Sequence, residues 1–321
     1  MTVAGIKFGV LLPTFGTGGG RPPVVAGARR AEDLGFDGLW AGDHLLAPAP
    51  VLDSLCALSA AAAVTERIEL GISVLQLGLR QPAWAAKQLA TIDALAPGRL
   101  RLGVGVGGEF PAEFTAAGVD IRTRGARLDE IMSVLPALLG GEAVGHAGPL
   151  AAVRVEPGLR PAVGTLPPVA VGGRSDAALA RAARYGDQWL SMWTSPATLA
   201  RRAARLAGLA ADLGRPVPGI TLLIAASIDD DRSAAMAAAA ALIRRQYRMP
   251  FEKVDKWTAY GPAAAVTGKL AEYVAAGVTE FVFMPAGDPL VQYERLAGVR
   301  EALCSLRDPG VRWEQRHING A

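Results

Sequence analysis

The sequence predicts an α/β fold in which parallel strands and their helices close into a barrel, and three observations lead to this prediction. Short apolar runs alternate with segments of helical period almost throughout the 321 residues. The apolar runs are continuous, which is typical of strands buried on both faces of a parallel sheet. Eight such units are present, and this number favours a closed (β/α)8 TIM barrel over an open doubly wound sheet.

The eight strands are predicted from apolar runs that end at Gly, Pro or polar residues. The first run ends at Pro13, and the fourth, LRLGVGVG, carries small residues at its far end. In chain order the predicted strands are Ile6–Leu12, Asp37–Gly42, Ile68–Leu75, Leu100–Gly107, Pro168–Val171, Gln188–Met192, Ile220–Ser227 and Glu280–Met284.

The helices are predicted from their period and from Pro at the start and Gly after the end. The first, for example, begins with two prolines and is followed by Gly35. In chain order the predicted helices are Pro22–Leu34, Leu52–Val64, Pro82–Leu95, Arg124–Leu139, Ser175–Tyr185, Pro196–Leu213, Arg232–Tyr247, Pro262–Ala276 and Leu290–Leu306.

Two segments lack a clear period and are predicted to be insertions in the barrel. Gly140–Pro167 follows strand 4, and Arg248–Gly261 lies between strands 7 and 8. Long excursions on a compact scaffold often form lids or binding loops, so we expect these two to determine the substrate. No domain boundary stands out, and residues 1–321 are expected to form a single domain.

Composition argues against several classes of function. The formal net charge is +3, and no basic stripe is interleaved with aromatic residues, which argues against nucleic acid as a partner. The two cysteines, Cys56 and Cys304, and the three scattered histidines lack metal-site spacing, so no metal is expected. Without a signal-peptide pattern or an apolar run of about 20 residues, we expect a cytoplasmic protein with no membrane association.

One histidine stands at a position where chemistry is expected. His44 follows strand 2 in the stretch LWAGDHLLAP, and barrels of this class place their active sites at the carboxyl ends of the strands. An imidazole with its usual pKa of about 6.5 suits proton transfer, so His44 is a candidate catalytic residue. The alternative is a structural histidine bonded to a nearby loop. Asp43 beside it better fits a supporting or capping role.

The glycines that end strand 5 suggest a binding turn. In VGGRSDAAL, Gly172 and Gly173 allow the backbone to approach a ligand, and Ser175 begins a helix. Free amides at a helix start form an anion site, to which Arg174 could add charge. The alternative is a tight strand–helix turn with a serine cap.

The stretch GVGVGGEF at the end of strand 4 resembles a dinucleotide fingerprint only superficially, because the acid required about 20 residues later is missing. Gly105, Gly107 and Gly108 more plausibly clear space for a flat ring. Glu109 is then a candidate proton donor or substrate ligand, its alternative being a solvated loop acid. Trp193, which ends strand 6, could form a wall of the same pocket.

Several of these motifs, taken in order, resemble the bacterial luciferase-like superfamily. The resemblance is carried by GFDGLWAGDH, by RIELGISVLQLGLRQPAWAAKQLATIDALAPGRLRLGVGVGGEFPAEF, by RGARLDE and by PPVAVGGRSDAALARAARYGDQWL. It runs from residue 6 to about residue 190, and the last third matches only in general layout.

The resemblance implies a barrel that binds a flavin or a deazaflavin in its mouth. The pair Asp43-His44 and the stretch containing Glu109 are similar to the branch that uses coenzyme F420 for hydride transfer. By resemblance, His44 contacts the central ring of the cofactor or the substrate, and Glu109 is similar in place to a proton donor. The turn from Gly172 to Ser175 would receive the phosphate.

The resemblance also implies a cis peptide bond between Ser73 and Val74, which would support one face of the ring, and a homodimer. Two departures argue against a sugar-phosphate substrate. Pro48 and the Pro13-Thr14-Phe15 group stand where sugar-phosphate dehydrogenases of this family have Trp and Glu. A small neutral or apolar substrate is therefore expected.

Two alternatives to this F420-dependent oxidoreductase stay open. One is an FMN-dependent monooxygenase that takes reduced flavin from a separate reductase partner and activates oxygen. The other is a non-catalytic barrel that binds flavin.

Overall fold

The computed structural model describes residues 5–16 and 22–305, in which eight parallel strands form a closed barrel and confirm the predicted fold class. The strands are β1 (Lys7–Leu11), β2 (Gly38–Ala41), β3 (Glu69–Ile72), β4 (Leu100–Val104), β5 (Val144–Ala147), β6 (Ala152–Val155), β7 (Val169–Gly172), β8 (Gln188–Met192), β9 (Gly219–Ile228), β10 (Ala259–Gly261) and β11 (Glu280–Pro285). The helices are α1 (Val24–Asp33), α2 (Ser54–Ala62), α3 (Pro82–Leu95), α4 (Pro111–Ala116), α5 (Arg124–Leu139), α6 (Asp176–Tyr185), α7 (Pro196–Asp212), α8 (Arg232–Tyr247), α9 (Ala263–Ala275) and α10 (Pro289–Ser305).

The barrel closes through one continuous set of parallel strand pairs. Its order is β1, β2, β3, β4, β7, β8, β9 and β11, and β11 pairs with β1. Glu280 at the start of β11 is aligned with Lys7 on one side and with Thr221 on the other. Because all eight strands run in one direction, their carboxyl ends meet at one mouth, where the candidate residues are expected.

Side-chain caps explain where several helices begin. Asp53 accepts a hydrogen bond from the backbone N–H of Cys56 at the start of α2, and Ser175 accepts one from Ala178 at the start of α6. Pro82 occupies the first turn of α3, where its missing N–H costs nothing. These local signals are readable in sequence, and the predicted helix starts agree with them.

The lower part of the barrel interior is filled by the indole of Trp40. This side chain on β2 is fully buried. A Cβ added at Gly9 would lie 2.6 Å from the indole nitrogen, and one added at Gly38 would lie 2.7 Å from it. Gly9 on β1 and Gly38 on β2 itself therefore make room for one large ring inside the barrel.

The segment after α5 differs from the irregular loop that we expected. β5 and β6 form an antiparallel hairpin, with His146 opposite Val153. The Glu130 carboxylate on α5 accepts hydrogen bonds from the backbone N–H groups of Leu150 (3.2 Å) and Ala151 (2.8 Å). Strands of four residues are too short to show a periodic pattern, and the hairpin depends on this contact with a distant helix.

The excursion between β9 and β11 is longer than expected, because α8 belongs to it. β10 pairs in parallel with the end of β9, with Ala259 opposite Ala226 and Gly261 opposite Ile228. The helix that leads back to the next barrel strand is therefore α9. Helix α8 instead runs to the mouth of the barrel, where its last two residues, Gln246 and Tyr247, line the cavity described below.

Among the helices of the described residues, none combines the length and the apolar character that crossing a lipid bilayer requires.

Candidate active site

The candidate residues meet in a cavity at the carboxyl ends of the barrel strands. The cavity has a volume of about 220 Å³. Twelve of the thirteen residues predicted for the site line it: Asp43, His44, Ser73, Val74, Gly105, Gly107, Gly108, Glu109, Gly172, Gly173, Arg174 and Trp193. The thirteenth, Ser175, lies at the adjoining turn and uses its hydroxyl to cap α6.

The two segments expected to determine the substrate do not reach this cavity. Its described lining includes no residue of 140–167 and none of 248–261. The first segment follows α5, and in a barrel of this class a helix returns the chain to the amino ends of the strands, away from the mouth. The second packs behind α8, whose Tyr247 reaches the cavity in its place.

His44 lies between two carboxylates. Its Nδ1 is 3.3 Å from Glu113 Oε1, and its Nε2 is 3.9 Å from Glu109 Oε2. The rings of Phe110 and Phe15 flank it, with centroids 5.1 and 6.4 Å from the imidazole. The side chain is 16% exposed, so it is shielded by these neighbours yet open to the cavity.

Glu113 is one of the residues at the site that sequence reasoning missed. It lies on α4, a helix of six residues that was not predicted, and its side chain is completely buried. The stretch EFPAEF held a signal, because a proline at the first helical position with an acid two residues later is typical of a helix start. A helix of six residues is too short to show a periodic apolar pattern.

The Glu113 carboxylate is fully supplied with hydrogen-bond donors. Oε1 accepts from the backbone N–H groups of Leu45 (2.7 Å) and Leu46 (3.3 Å). The side-chain amide of Gln76 donates to both carboxylate oxygens at 3.1 Å and to the backbone carbonyl of Asp43 at 2.9 Å. One buried acid thus fixes the loop that carries His44.

Asp43 lines the cavity, but its carboxylate is engaged within the protein. Oδ1 accepts hydrogen bonds from the Ser54 hydroxyl (2.7 Å) and from Arg80 (2.8 Å), and Oδ2 accepts one from the backbone N–H of Gln76 (3.0 Å). This arrangement matches the supporting role that its position suggested. Arg80 also reaches Asp53, the cap of α2, and so joins the loop after β2 to that helix.

The charges around His44 shift three pKa values. Burial opposes the charged imidazolium, yet the hydrogen bond and charge of Glu113, with Glu109 and Asp43, raise the pKa of His44 above 6.5. Burial raises the pKa of Glu109, against the opposing charges of His44 and Arg174. Burial also opposes ionisation of Glu113, but the bonds from His44 and Gln76 lower its pKa.

The Glu109 side chain is 45% exposed, although the protein groups around it remove enough water to raise its pKa. Its outer surface faces the cavity, so solvent there keeps its charge partly screened.

The cavity floor is shaped by glycines packed on one valine. The peptide bond between Ser73 and Val74 is cis, as the resemblance implies. A Cβ at Gly172 would lie 2.6 Å from Val74 Cγ1, and a Cβ at Gly105 would overlap Val74 Cγ2. Val74 therefore has room at the mouth because glycine follows β4 at position 105 and ends β7 at position 172.

The turn after β4 requires glycine for its backbone. Gly107 and Gly108 have φ values of 62° and 111°, which other residues rarely adopt. A Cβ at Gly107 would also overlap the amide oxygen of Gln76. These two glycines therefore carry Glu109 past Gln76 to the side of the imidazole.

An aromatic wall faces this floor. Trp193 has a φ of 48°, and its indole meets the ring of Tyr247 edge-on at 4.8 Å between centroids. The Arg174 guanidinium lies 5.9 Å from the same indole. Tyr247 was not a candidate, because nothing in the sequence indicates that α8 ends at the mouth.

Three residues that line the cavity each have a buried polar atom without a hydrogen bond within the described residues: the hydroxyl oxygen of Ser73, the amide oxygen of Gln76 and the indole nitrogen of Trp193. The Gln76 oxygen faces Gly107, whereas Ser73 and Trp193 belong to the floor and the wall. Leaving a buried polar group unsatisfied costs about 1–3 kcal/mol. Ser73 and Trp193 both line the cavity, so a polar ligand there could satisfy them.

Comparison with known proteins agrees with this architecture. The family model described as luciferase-like monooxygenase matches residues 6–303. An uncharacterised protein of Mycobacterium tuberculosis is 34% identical over 169 residues, which are 53% of this chain and 58% of that protein. The F420-dependent glucose-6-phosphate dehydrogenase of Beutenbergia cavernae is 42% identical over 124 residues, 36% of each chain. The aligned part thus spans little more than half of the mycobacterial relative and about a third of the dehydrogenase.

Solved structures share the fold over almost the whole chain. An F420-dependent secondary alcohol dehydrogenase in complex with an F420-acetone adduct superposes with a TM-score of 0.82 at 19% identity, covering 93% of this chain and 99% of that one. The oxygenating constituent of 3,6-diketocamphane monooxygenase from Pseudomonas putida, in complex with FMN, gives 0.77 at 16% identity, covering 94% and 98%. With the family match over residues 6–303, these findings show that the chain belongs to the luciferase-like monooxygenase family.

Proposed function

We propose that this protein is an oxidoreductase that uses coenzyme F420 and transfers a hydride to or from a small, neutral or apolar organic substrate. The observation that carries the proposal is the placement of His44 at the mouth, with Glu109 on its cavity side and Glu113 behind it. Coenzyme F420, when bound, would supply the hydride chemistry. The chain would supply a group that exchanges the accompanying proton.

The cavity residues fit a flat cofactor. Val74 presents an apolar edge, and Gly105 and Gly172 leave open the space above the strand ends. The buried Ser73 hydroxyl and the Trp193 indole N–H would gain a partner from polar atoms of the bound ring system. These residues would hold the ring.

The turn after β7 fits the phosphate of such a cofactor. Gly173 has a φ of 131°, a backbone conformation that favours glycine, and α6 begins immediately afterwards with Ser175 as its cap. Amides at a helix start favour an anion, and Arg174 lines the same part of the cavity. We therefore propose that residues 172–175 receive the phosphate.

His44 and Glu109 would manage the proton. Their facing atoms, Nε2 and Oε2, are 3.9 Å apart, so one substrate oxygen between them could contact both. Burial raises the pKa of Glu109 from its acidic range towards neutral pH, where a proton donor works best, and the facing carboxylates raise the pKa of His44 above 6.5 against the effect of burial. His44 would exchange the proton with the substrate, and Glu109 would act as the second proton donor.

The lining supports a small substrate without phosphate. Apart from His44, the only cationic side chain in the described lining is Arg174, which the proposed phosphate turn already uses. The remaining lining is largely apolar and includes Leu11, Val106, Leu190, Met192, Leu223 and Met284. A second phosphate would find no free positive charge among these residues, so a neutral substrate such as an alcohol or ketone fits better.

The F420 assignment also draws on similarity, because the dehydrogenase from Beutenbergia cavernae is described as F420-dependent. An FMN-dependent monooxygenase is the competing assignment, since an FMN complex shares the fold. We further propose that residues 1–321 form one barrel domain of a cytoplasmic protein and, as the resemblance implies, that two copies associate as a homodimer. Light scattering coupled to size exclusion tests the homodimer directly.

The experiment that decides the cofactor is a parallel titration of the purified protein with F420 and with FMN, each oxidised and reduced, followed by fluorescence. The proposal expects F420 to bind more tightly and to be reduced by a panel of secondary alcohols. Tight binding of FMN alone, with oxygen consumption when a flavin reductase is added, would establish the monooxygenase. Binding of either cofactor without turnover of any substrate would favour the non-catalytic barrel.

A further inference from the structure

We propose that Glu113 is a positioning residue that keeps a proton on Nδ1 of His44 and thereby makes Nε2 the atom that exchanges protons in the cavity. The consequence for turnover rests on the proposed function. The location of the proton on Nδ1 does not rest on the proposed function, because it follows from contacts within the protein.

The first step is the state of the Glu113 carboxylate. Its neighbours are the backbone N–H groups of Leu45 and Leu46 and the side-chain amide nitrogen of Gln76, all of which donate to it. A carboxylate surrounded only by donors is held in its ionised form. The remaining neighbour, His44 Nδ1, lies 3.3 Å from Oε1 and must therefore bring a proton to this contact.

The second step is the orientation of Gln76. Its amide nitrogen faces the Asp43 carbonyl and both oxygens of Glu113, so reversing the amide would place its oxygen against three acceptors. The same nitrogen lies 3.3 Å from His44 Nδ1. Since an amide nitrogen accepts no hydrogen bond, the Nδ1 proton is directed to Glu113 and not to Gln76.

The third step is the set of charges that face the ring. Glu113 approaches from α4, Glu109 from the loop after β4, and Asp43 precedes His44 in the chain. Arg80 pairs with the Asp43 carboxylate, and Arg174 acts on Glu109. Glu113 is the carboxylate within bonding distance of Nδ1, whereas Nε2 is left facing the cavity and Glu109.

The chemical consequence is a fixed direction of proton exchange. When Nε2 accepts a proton from a substrate hydroxyl, the ring becomes an imidazolium and the Nδ1–H stays in place beside Glu113. When Nε2 gives that proton up, the neutral ring returns to the same tautomer. The carboxylate thus orients the ring and stabilises its charged form without changing its own protonation.

Nitrogen-15 NMR of the imidazoles in the protein without cofactor tests this directly. The chain has three histidines, so His44→Gln assigns the relevant signals. In the wild-type protein above the His44 titration, Nδ1 should show the shift of a protonated nitrogen and Nε2 that of an unprotonated one. The opposite tautomer in the wild type would overturn the proposal whatever any variant does.

The variant Glu113→Gln preserves the shape of the side chain and removes its charge. We expect the midpoint of the His44 titration to move down and the preference for the Nδ1–H tautomer to weaken. The matched control is Glu130→Gln, which removes a carboxylate 3.6 Å from His146 and should leave the His44 signals in place. An unchanged His44 midpoint in folded Glu113→Gln protein would also overturn the proposal.

The two proposals fail separately. If F420 does not bind but the Nδ1–H tautomer is found, the proposed function falls and the role of Glu113 stands. If F420 is reduced but His44 carries its proton on Nε2, the role of Glu113 falls and the proposed function stands. Where turnover is measurable, Glu113→Gln should shift the pH profile of kcat to lower pH, which a merely structural loss would not do.

Discussion

Glu113 Oε1 lies 3.3 Å from His44 Nδ1, although the two residues are 69 positions apart in the chain. The short helix α4 brings the acid under the loop that follows β2, and that loop returns two backbone N–H groups to the same carboxylate. The histidine at the end of the second strand is therefore held from behind and exposed in front.

Replacing His44 with glutamine should abolish most turnover and leave the cofactor bound. Glutamine keeps a polar side chain of similar length but cannot titrate, and loss of a general acid–base group typically costs about 10²–10⁴-fold in rate. We expect kcat to fall by that amount, measured as F420 reduction at saturating substrate. Cofactor affinity, measured by fluorescence, should change only a few-fold.

The control for this variant is His146→Gln. His146 lies on the β5–β6 hairpin and does not line the cavity. Its loss should leave kcat unchanged. If His44→Gln protein retains wild-type turnover, the role assigned to His44 is wrong.

Adding one methyl group at Gly105 should lower the free energy of unfolding and weaken cofactor binding. The new Cβ would overlap Val74 Cγ2 at the cavity floor, so the valine must move. Overpacking of this kind costs about 1–3 kcal/mol. We expect Gly105→Ala to lower the free energy of unfolding by that amount in urea and to weaken cofactor binding.

The matched control is Gly268→Ala on α9, where a Cβ would meet nothing within 4 Å. Alanine is favoured over glycine in a helix by about 0.5–1 kcal/mol, so this variant should be slightly stabilised and should bind as the wild type does. Equal behaviour of the two variants would contradict the packing argument.

These contacts show what the sequence could and could not predict. The strand ends and glycines follow local rules, and twelve of the thirteen predicted residues do line one cavity. Glu113, Gln76 and Tyr247 escaped prediction for different reasons. The first two are buried polar residues whose partners lie 69 and 37 positions away, and hydrogen bonds at that separation leave no local pattern.

Tyr247 escaped because periodicity predicts a helix but not its direction. The Arg232–Tyr247 helix was predicted with the bounds that the structure shows, yet as a barrel helix. Only the pairing of β10 with the end of β9 reveals that α8 lies within an excursion. A three-residue strand carries too little sequence signal to be predicted.

Removing the phenol oxygen of Tyr247 should hardly change the free energy of unfolding of the ligand-free protein. The side chain is partly buried, and burial raises the pKa of its hydroxyl, whose only hydrogen bond within the described residues goes to the Met284 sulfur at 3.8 Å. Sulfur is a weak acceptor. We expect Tyr247→Phe to change the free energy of unfolding by less than about 0.5 kcal/mol, measured in urea.

The same variant then reports on the ligand. If the hydroxyl meets a bound substrate, Tyr247→Phe should raise KM while the stability stays constant. Tyr247→Ala provides the contrast, since it also removes the ring that packs against Trp193, and loss of a fully buried ring costs about 3–5 kcal/mol as an upper bound. A large destabilisation in Tyr247→Phe would mean that the hydroxyl has a stronger partner than sulfur.

The Glu113–His44 pair should stabilise the fold only within a window of pH. The pKa of Glu113 lies below its usual 4.5, so its contribution is complete above pH 4.5 and is lost as the pH falls through the folded-state pKa. The pKa of His44 lies above its usual 6.5, so its contribution is complete below pH 6.5 and is lost as the pH rises through the folded-state pKa. Both contributions to the free energy of unfolding are therefore complete between pH 4.5 and pH 6.5.

The cost of Glu113→Gln should therefore depend on pH. The variant leaves buried donors with a poorer acceptor, which costs about 1–3 kcal/mol. We expect that difference in unfolding free energy to be largest near about pH 5.5 and to shrink on the alkaline side, once His44 is neutral in the wild type as well. Urea unfolding of both proteins across this range measures it, and a difference that is constant with pH would show that the imidazole and the carboxylate are not coupled.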